Sequence, residues 1–149
     1  LVDDLKNNPS SRQMLVLAWN PIDRDRVIPP FCHYGFQVTV LHGKINLMWN
    51  QRSVDTMLGL PFNIASYATM LHLLAKETGL QEGKLVGFLG DTHIYTNHLD
   101  GVKEQLSREP LALPKLETKN FTSIFDWTYK DSKVVNYKSG ARISFDISV

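Results

Sequence analysis

Residues 33–53 have the sequence HYGFQVTVLHGKINLMWNQRS, in which apolar and polar side chains alternate. The first half has an apolar face, whose members are Tyr34, Phe36, Val38 and Val40. An alternation of period two is typical of a β-strand with one buried face. His42-Gly43-Lys44 suits a hairpin turn, and apolar residues then resume at Ile45, Leu47 and Trp49. The stretch therefore predicts two antiparallel strands joined as a hairpin.

A long helix is predicted to follow this hairpin. Apolar residues between Phe62 and Thr78 keep a spacing of 3.6, and they include Ile64, Tyr67, Ala68, Leu71, Leu74 and Ala75. Pro61 stands near the expected start of the helix and Gly79 at its expected end. Further apolar residues lie between these positions, so we predict a largely buried central helix.

The rest of the chain predicts shorter elements. We expect helices over 1–8 and 97–108, strands over 14–19 and 84–95, and strand-like pieces at 115–118, 127–129 and 133–137. The run from Met14 to Trp19 is continuously apolar, which predicts a strand buried on both faces. The predicted class is α+β, with a mostly antiparallel or mixed sheet packed against the long buried helix.

Composition narrows the class of protein. With 149 residues, of which 43% are hydrophobic and 21% charged, the chain is typical of one globular domain. A net charge of +1 gives no field for nucleic acid, so we expect no DNA partner. No apolar run approaches the ~20 residues that cross a membrane, and no signal peptide is visible. A single cysteine cannot form an internal disulfide, so we expect a cytoplasmic location.

The first residues of the chain fit a cut inside a larger domain. Leu1-Val2-Asp3-Asp4-Leu5 has the pattern of an amphipathic helix, yet no N-cap residue and no initiator Met precede it. Proteolytic processing is the alternative explanation.

Cys32 is the only cysteine, and it follows Pro29-Pro30-Phe31. A lone cysteine is often only a small buried hydrophobic residue, and residue type alone favours that interpretation. A nucleophilic thiolate usually needs a nearby positive charge. Adjacent side chains on a strand point to opposite faces, so His33 is poorly placed as the direct base. If Cys32 is a nucleophile, we expect an arginine brought in by the fold to activate it.

Two polar clusters could form a ligand site. Gln51-Arg52-Ser53-Val54-Asp55 follows an apolar strand and precedes the long helix, and its Arg and Ser donors suit a phosphate. Asp91, His93 and Tyr95 share one strand face, which suits a polyhydroxyl ligand such as a sugar. No Cys, His or carboxylate at a usual spacing completes a ligand set with His93 and His98, so we predict no metal site.

Two further polar residues have two interpretations each. Asn63, in the first turn of the long helix, suits a helix cap, and it can also present a donor and an acceptor to an amide-like ring. Arg12 is either a surface charge or an anion contact. The sequence pattern leaves both pairs open.

Together, these clusters resemble one family, the thymidylate synthases. The matching segments are Cys32-His33, Gln51–Asp55, Leu58–Tyr67, Gly90–Tyr95, Asn97-His98, Gln105–Pro110 and Leu113–Leu116. They are collinear and span nearly the whole chain, but they cover only the C-terminal half of a typical member. Residues 1–149 are therefore expected to be the C-terminal portion of a single domain whose N-terminal half is absent.

The resemblance implies reductive methylation of dUMP to dTMP, with 5,10-methylenetetrahydrofolate supplying the carbon and the hydride. It assigns three residues to catalysis, of which Cys32 would be the nucleophile that adds to C6 of the pyrimidine. Arg52 would lie near the thiolate, and Asp55 completes the set. Covalent addition divides one difficult step into two easier ones. The resemblance implies no metal.

The resemblance also implies binding residues. The set for dUMP is Arg12, Gln51, Arg52, Ser53, Asn63, His93 and Tyr95. Within it, Arg52 and Ser53 would hold the phosphate, and Asn63 would contact the uracil edge. His93 and Tyr95 would bond the ribose hydroxyl. Arg12 would reach the phosphate in the partner subunit of a homodimer. The set for the reduced folate is Asp55, Leu58, Phe62 and the C-terminal Val149.

Departures from the family pattern keep two alternatives open. Gln13 stands where a second phosphate-binding Arg is usual, Phe31 where Pro is usual, and Asn50 where Tyr is usual. The ending over 145–149 also differs from the common one. Because the absent half supplies another Arg, a Glu and a Trp, we expect this chain alone to turn over little or nothing. The alternatives are a pyrimidine nucleotide hydroxymethylase of the same fold and a catalytically incompetent fragment that serves as a binding module.

Overall fold

A computed structural model of the chain describes residues 1–148, which form two compact units, 1–93 and 94–148. The helices are α1 (Val2–Asn7), α2 (Leu60–Thr78) and α3 (Leu99–Leu106). The strands are β1 (Leu15–Leu17), β2 (His33–Leu41), β3 (Lys44–Asp55), β4 (Gln81–His93), β5 (Lys115–Thr118) and β6 (Ser132–Val135). Short 3₁₀ turns occupy Pro21–Arg26, Thr96–His98 and Tyr129–Asp131.

The first unit contains a four-stranded sheet in the order β1-β2-β3-β4. The pairs β1–β2 and β2–β3 are antiparallel, whereas β3–β4 is parallel, since α2 carries the chain back between them. The predicted hairpin is confirmed: His42 and Gly43, with φ of 52° and 74°, join β2 to β3. These left-handed values are the ones that a two-residue type I′ turn requires. The sheet is therefore mixed and packs on a helix, which confirms the predicted α+β class.

Helix α2 packs on one face of this sheet. Trp49 of β3 stacks on Tyr67 of α2 with 5.1 Å between the ring centroids. The buried apolar core of the unit consists of Leu5, Met14, Val38, Ile45, Leu47, Trp49, Val54, Leu71, Leu73, Leu74 and Ala75. Gly79, at φ 69°, ends α2 in the left-handed conformation, as the sequence predicts.

Two predictions of burial are wrong. The apolar run 14–19 forms only the three-residue β1, which lies at the edge of the sheet, and Leu17 is 69% exposed. Helix α2 is buried only over its second half, because Phe62 and Ile64 in the first half are 74% and 44% exposed. The spacing of apolar residues predicts the type of secondary structure. It does not predict how far the neighbouring elements of this chain cover those residues.

The second unit is built around α3 and a small antiparallel pair, β5–β6. The predicted helix 97–108 is divided into the 3₁₀ turn Thr96–His98 and α3. The predicted strand 84–95 begins earlier, at Gln81, and ends at His93. The strand-like piece at 127–129 is wrong: Thr128 instead caps a 3₁₀ turn, exchanging hydrogen bonds with Asp131.

Candidate functional site

Cys32 lies at the end of the loop that precedes β2, and it is partly buried. Arg52 of the neighbouring β3 binds this loop through its guanidinium. Its Nε donates to the carbonyl oxygen of Phe31 and its Nη2 to that of Pro30, both at 3.1 Å. The Sγ of Cys32 lies 3.9 Å from the same Pro30 oxygen. The thiol and the guanidinium therefore share one carbonyl, and the backbone bond from Arg52 N to Cys32 O, at 2.8 Å, fixes the two segments together.

A chain of side-chain hydrogen bonds runs from β3 to α2 on the helix-covered face of the sheet. Gln51, only 3% exposed, accepts from Trp49 Nε1 at 3.2 Å and donates through Nε2 to Asn63 Oδ1 at 3.0 Å. Asn63 Nδ2 in turn donates to His33 Nε2 at 3.2 Å. Each bond fixes the orientation of the next group, so the amide of Asn63 is held from both of its ends.

His33 is part of this series of hydrogen bonds, although it was not among the site residues predicted from the sequence. Its Nε2 accepts from Asn63, so the proton of the neutral ring resides on Nδ1. Burial lowers the pKa of His33 below its usual 6.5, because desolvation disfavours the imidazolium. Its ring lies 5.5 Å from that of Tyr67, whose pKa burial raises above the usual 10.0. Strand alternation alone would put His33 on the face opposite Phe36 and Val38. A β-bulge between His33 and Gly35 instead pairs His33 with Gln51 and turns its ring towards α2, so the sequence pattern carried no signal for this contact.

Asp55 ends β3 and uses its carboxylate to shape the turn into α2. Its Oδ1 accepts the backbone N–H groups of Met57 at 2.9 Å and Leu58 at 3.1 Å. Leu58 is partly buried there, whereas the neighbouring Phe62 is 74% exposed. Asp55 therefore anchors the stretch that carries the predicted folate contacts Leu58 and Phe62.

The parallel pairing of β3 and β4 brings two of the predicted clusters to the same end of the sheet. Ser53 pairs with Asp91 and Asp55 with His93. Thr56 ties the strand ends together, since its N–H and its Oγ1 both donate to the His93 carbonyl, at 3.1 and 2.8 Å. Nδ1 of His93 lies 3.7 Å from Asp91 Oδ1.

The remaining predicted site residues are Tyr95, Arg12 and Val149. Tyr95 follows the end of β4 and belongs to the second unit, where its ring lies 5.5 Å from that of His98. Arg12 is exposed in the loop between α1 and β1, beside Gln13. Val149 lies outside the residues that the structure describes.

Chemically, the site contains the thiol of Cys32, the guanidinium of Arg52 and the fixed amide of Asn63. A guanidinium can bind an anionic ligand, and an oriented amide can select the edge of a heterocycle. Within residues 1–148 no group of three or more His, Cys, Asp or Glu side chains has the arrangement of a metal site. In the same range no helix has both the length and the apolarity that crossing a membrane requires.

Comparisons with known proteins agree on one family. The family model for thymidylate synthase matches residues 1–149. The bifunctional dihydrofolate reductase-thymidylate synthase of Paramecium tetraurelia is 46% identical over 149 residues, which are 100% of this chain and 32% of that protein. The structure of thermostable thymidylate synthase A from Bacillus subtilis superimposes with a TM-score of 0.92 at 37% identity, covering 98% of this chain and 53% of that one. The chain thus spans about a third of the curated relative's length and about half of the solved one's. It belongs to the thymidylate synthase family.

Proposed function

We propose that this chain carries the nucleophile and the nucleotide-binding strands of an enzyme that methylates dUMP to dTMP. The contact of Arg52 with the Cys32 loop is the observation that carries the proposal. Two hydrogen bonds hold the guanidinium on the carbonyls of Pro30 and Phe31, next to the thiol. In the proposed reaction the Cys32 thiolate adds to C6 of the pyrimidine, and C5 then attacks the one-carbon unit of 5,10-methylenetetrahydrofolate. The folate also supplies the hydride that completes the methyl group.

The orientation of Asn63 supports uracil as the base. Its Oδ1 accepts from Gln51 and its Nδ2 donates to His33, which leaves one lone pair and one N–H for a ligand. That pair matches the N3–H donor and the O4 acceptor of uracil. Cytosine presents the reverse pattern and would require the amide to turn over. A turned amide would set its NH₂ group against the donor Nε2 of Gln51, which Trp49 holds in place.

The remaining nucleotide contacts follow the strand ends. Arg52 and Ser53 lie on β3 and are proposed to hold the phosphate, as guanidinium and hydroxyl donors suit its oxygens. His93 at the end of β4 and Tyr95 just beyond it are proposed for the ribose hydroxyl. Gln51 acts through Asn63, and Asp55 shapes the stretch with Leu58 and Phe62 where the reduced folate is proposed to bind.

We also propose a homodimer, formed through the face of the sheet opposite α2. Cross-strand pairing aligns two rows of side chains on that face, Leu15–Gln37–Met48–Val86 and Leu17–Gly35–Asn50–Phe88. The apolar ends of both rows are exposed in the single chain: Leu15 52%, Leu17 69%, Val86 37% and Phe88 56%. Arg12, exposed on the same unit, is available to reach the phosphate bound by a partner subunit. A cytoplasmic location completes the proposal.

Covalent trapping tests the reaction in the complete enzyme. A 5-fluoro analogue of dUMP is expected to form a stable adduct on Cys32 in the presence of the folate, detected as a mass increase on the peptide containing Cys32. Cys32→Ala is expected to abolish both the adduct and dTMP formation. Isotope-traced turnover of dUMP against dCMP then tests the base. A preference for dCMP would identify a hydroxymethylase instead, and unchanged turnover in Cys32→Ala would exclude Cys32 as the nucleophile.

The 149-residue chain by itself is expected to bind nucleotide poorly and to form little or no dTMP. This follows from the proposal that residues outside the chain supply another phosphate-binding Arg, a Glu and a Trp. Measurable dTMP formation by the purified chain would contradict it.

A further inference from the structure

The last residues that the structure describes make side-chain contacts with residues 97–101, near the start of the second unit. Asn97 and Ser148 exchange side-chain hydrogen bonds, with Asn97 Nδ2 donating to Ser148 Oγ at 3.0 Å. His98 Nε2 lies 2.7 Å from the carbonyl oxygen of Asp146. Phe145 packs against the backbone of α3 at Gly101. Three successive contacts therefore hold residues 145–148, which we name the C-terminal segment, on residues 97–101.

His98 is at the centre of these contacts. It is 1% exposed, and its ring lies between Tyr95, at 5.5 Å and 70°, and Phe145, at 5.0 Å and 62°. A carbonyl oxygen only accepts, so Nε2 of His98 carries the proton and donates it to Asp146. No partner for the other ring nitrogen, Nδ1, lies within residues 1–148. One buried ring thus contacts Tyr95 on one side and the C-terminal segment on the other.

The ring of Phe145 packs closely against Gly101 of α3. A Cβ at this position would overlap the ring of Phe145 and approach Ile143 Cγ2 to 3.0 Å. Glycine within a helix costs stability relative to alanine. Its presence in α3 is therefore explained by the space that the aromatic ring occupies.

We propose that His98 is a positioning residue that holds Tyr95 and the C-terminal segment in a fixed relation. The inference rests on the proposed function, in which Tyr95 bonds the ribose, and on the folate contact that the family resemblance implies for Val149. Through His98, the contact for the nucleotide and the contact for the folate depend on one side chain that touches neither ligand. The loss of His98 then weakens the binding of both ligands together.

Three variants of the complete enzyme separate the hydrogen bond from the packing. His98→Phe keeps an aromatic ring between Tyr95 and Phe145 and removes the donor to Asp146. His98→Gln places an amide N–H near the position of Nε2 and is the conservative rescue. Lys103→Ala, on the exposed face of α3, is the matched control, because its side chain is 77% exposed.

Steady-state kinetics and trimming by a carboxypeptidase supply two independent readouts. His98→Phe is expected to raise the KM values for dUMP and for the folate together by about fivefold, as the loss of one hydrogen bond of ordinary net strength does. The change in kcat is expected to be smaller. Mass spectrometry should show faster removal of the last residues in His98→Phe. His98→Gln and Lys103→Ala should remain near wild type in both assays.

Wild-type KM values and trimming in His98→Phe would overturn the proposal, and so would a His98→Gln variant no better than His98→Phe. If His98→Phe fails to fold, Gly101→Ala tests the packing of Phe145 on α3. The new methyl group displaces the Phe145 ring, while alanine favours the helix. Gly101→Ala is then expected to speed trimming, and adding Phe145→Ala should give no further increase. An additive increase would overturn the proposal. If the wild type forms no dTMP, the proposed function fails, while trimming still decides whether His98 holds the segment.

Discussion

At the scale of single residues, Arg52 is the side chain whose role is easiest to test, because Cys32 is the only thiol. Arg52→Met removes both bonds to the loop carbonyls and the positive charge beside the thiol. A charge contact at a partly exposed site is worth on the order of 1 kcal/mol, so we expect the rate of Cys32 alkylation to fall about fivefold. Cys32 is already partly exposed, so a looser loop changes the access of a reagent to the thiol less than the lost charge changes the reaction rate.

The rate of alkylation of Cys32 by iodoacetamide near neutral pH measures this effect. Arg24→Met is the control, since Arg24 lies in the 3₁₀ turn Pro21–Arg26 with 70% of its side chain exposed. Equal rates in Arg52→Met and the wild type would show that Arg52 positions the loop without activating the thiol.

His33 predicts a dependence of stability on pH. Because burial lowers its pKa in the folded state, the unfolded chain binds a proton at a higher pH than the folded chain does. The free energy of unfolding is therefore unaffected by this group above its ordinary pKa of 6.5, and it falls as the pH drops from 6.5 towards the lowered pKa. Replacing His33 by glutamine, which stays neutral, should make the loss of stability on acidification smaller.

Urea denaturation at pH 8 and at pH 5.5 measures that difference. His42→Asn is the matched control, because His42 is exposed in the hairpin turn and asparagine tolerates its positive φ of 52°. It should lose as much stability on acidification as the wild type. A His33→Gln variant with an undiminished loss would exclude His33 as the source.

At the scale of elements, the sequence predicted the hairpin and α2 well, but it overestimated the burial of β1 and of the first half of α2. Alternation and helical spacing are local properties, so they identify β2, β3 and α2 with nearly correct ends. Burial depends on which neighbour covers a face, and Leu17 and Ile64 are apolar yet exposed in this chain. Burial is therefore the part of the prediction that needs three-dimensional information.

The same limit applies to the candidate site. The motifs containing Cys32, Arg52 and Asn63 could be found in the sequence, but the pairing of Ser53 with Asp91 could not. That pairing follows from a parallel register between β3 and β4, which no local pattern encodes. The role of His33 could not be predicted either, because it depends on a contact with Asn63, which lies 30 positions further along the chain on α2.

The two halves of α2 should therefore respond differently to truncation. Leu74 is 2% exposed, and Leu74→Ala should cost about 3 kcal/mol through lost burial and a residual cavity. Ile64 is 44% exposed, and Ile64→Ala should cost less than ~1 kcal/mol, since alanine also favours the helix. Urea unfolding of the 149-residue chain measures both values. Similar losses would show that the first half of the helix is covered in solution.

At the scale of the whole molecule, the first unit has one covered and one uncovered side of its sheet. Helix α2 covers the face that carries Trp49, whereas the opposite face ends in exposed apolar side chains on β1 and β4. An exposed apolar sheet face of this kind marks an association surface or an aggregation hazard. The homodimer proposal assigns that face to a second copy of the chain.

Phe88→Lys tests this assignment, because Phe88 is 56% exposed at the end of one cross-strand row. In a symmetric dimer each substitution occurs twice, so removing two partly buried phenyl groups should raise the dimer Kd by about a hundredfold. Sedimentation velocity over a dilution series measures that change. Ile22→Lys is the matched control, since Ile22 is 76% exposed in the 3₁₀ turn Pro21–Arg26 and belongs to neither row. Dimerisation that survives Phe88→Lys, or that Ile22→Lys weakens equally, would place the interface on another surface.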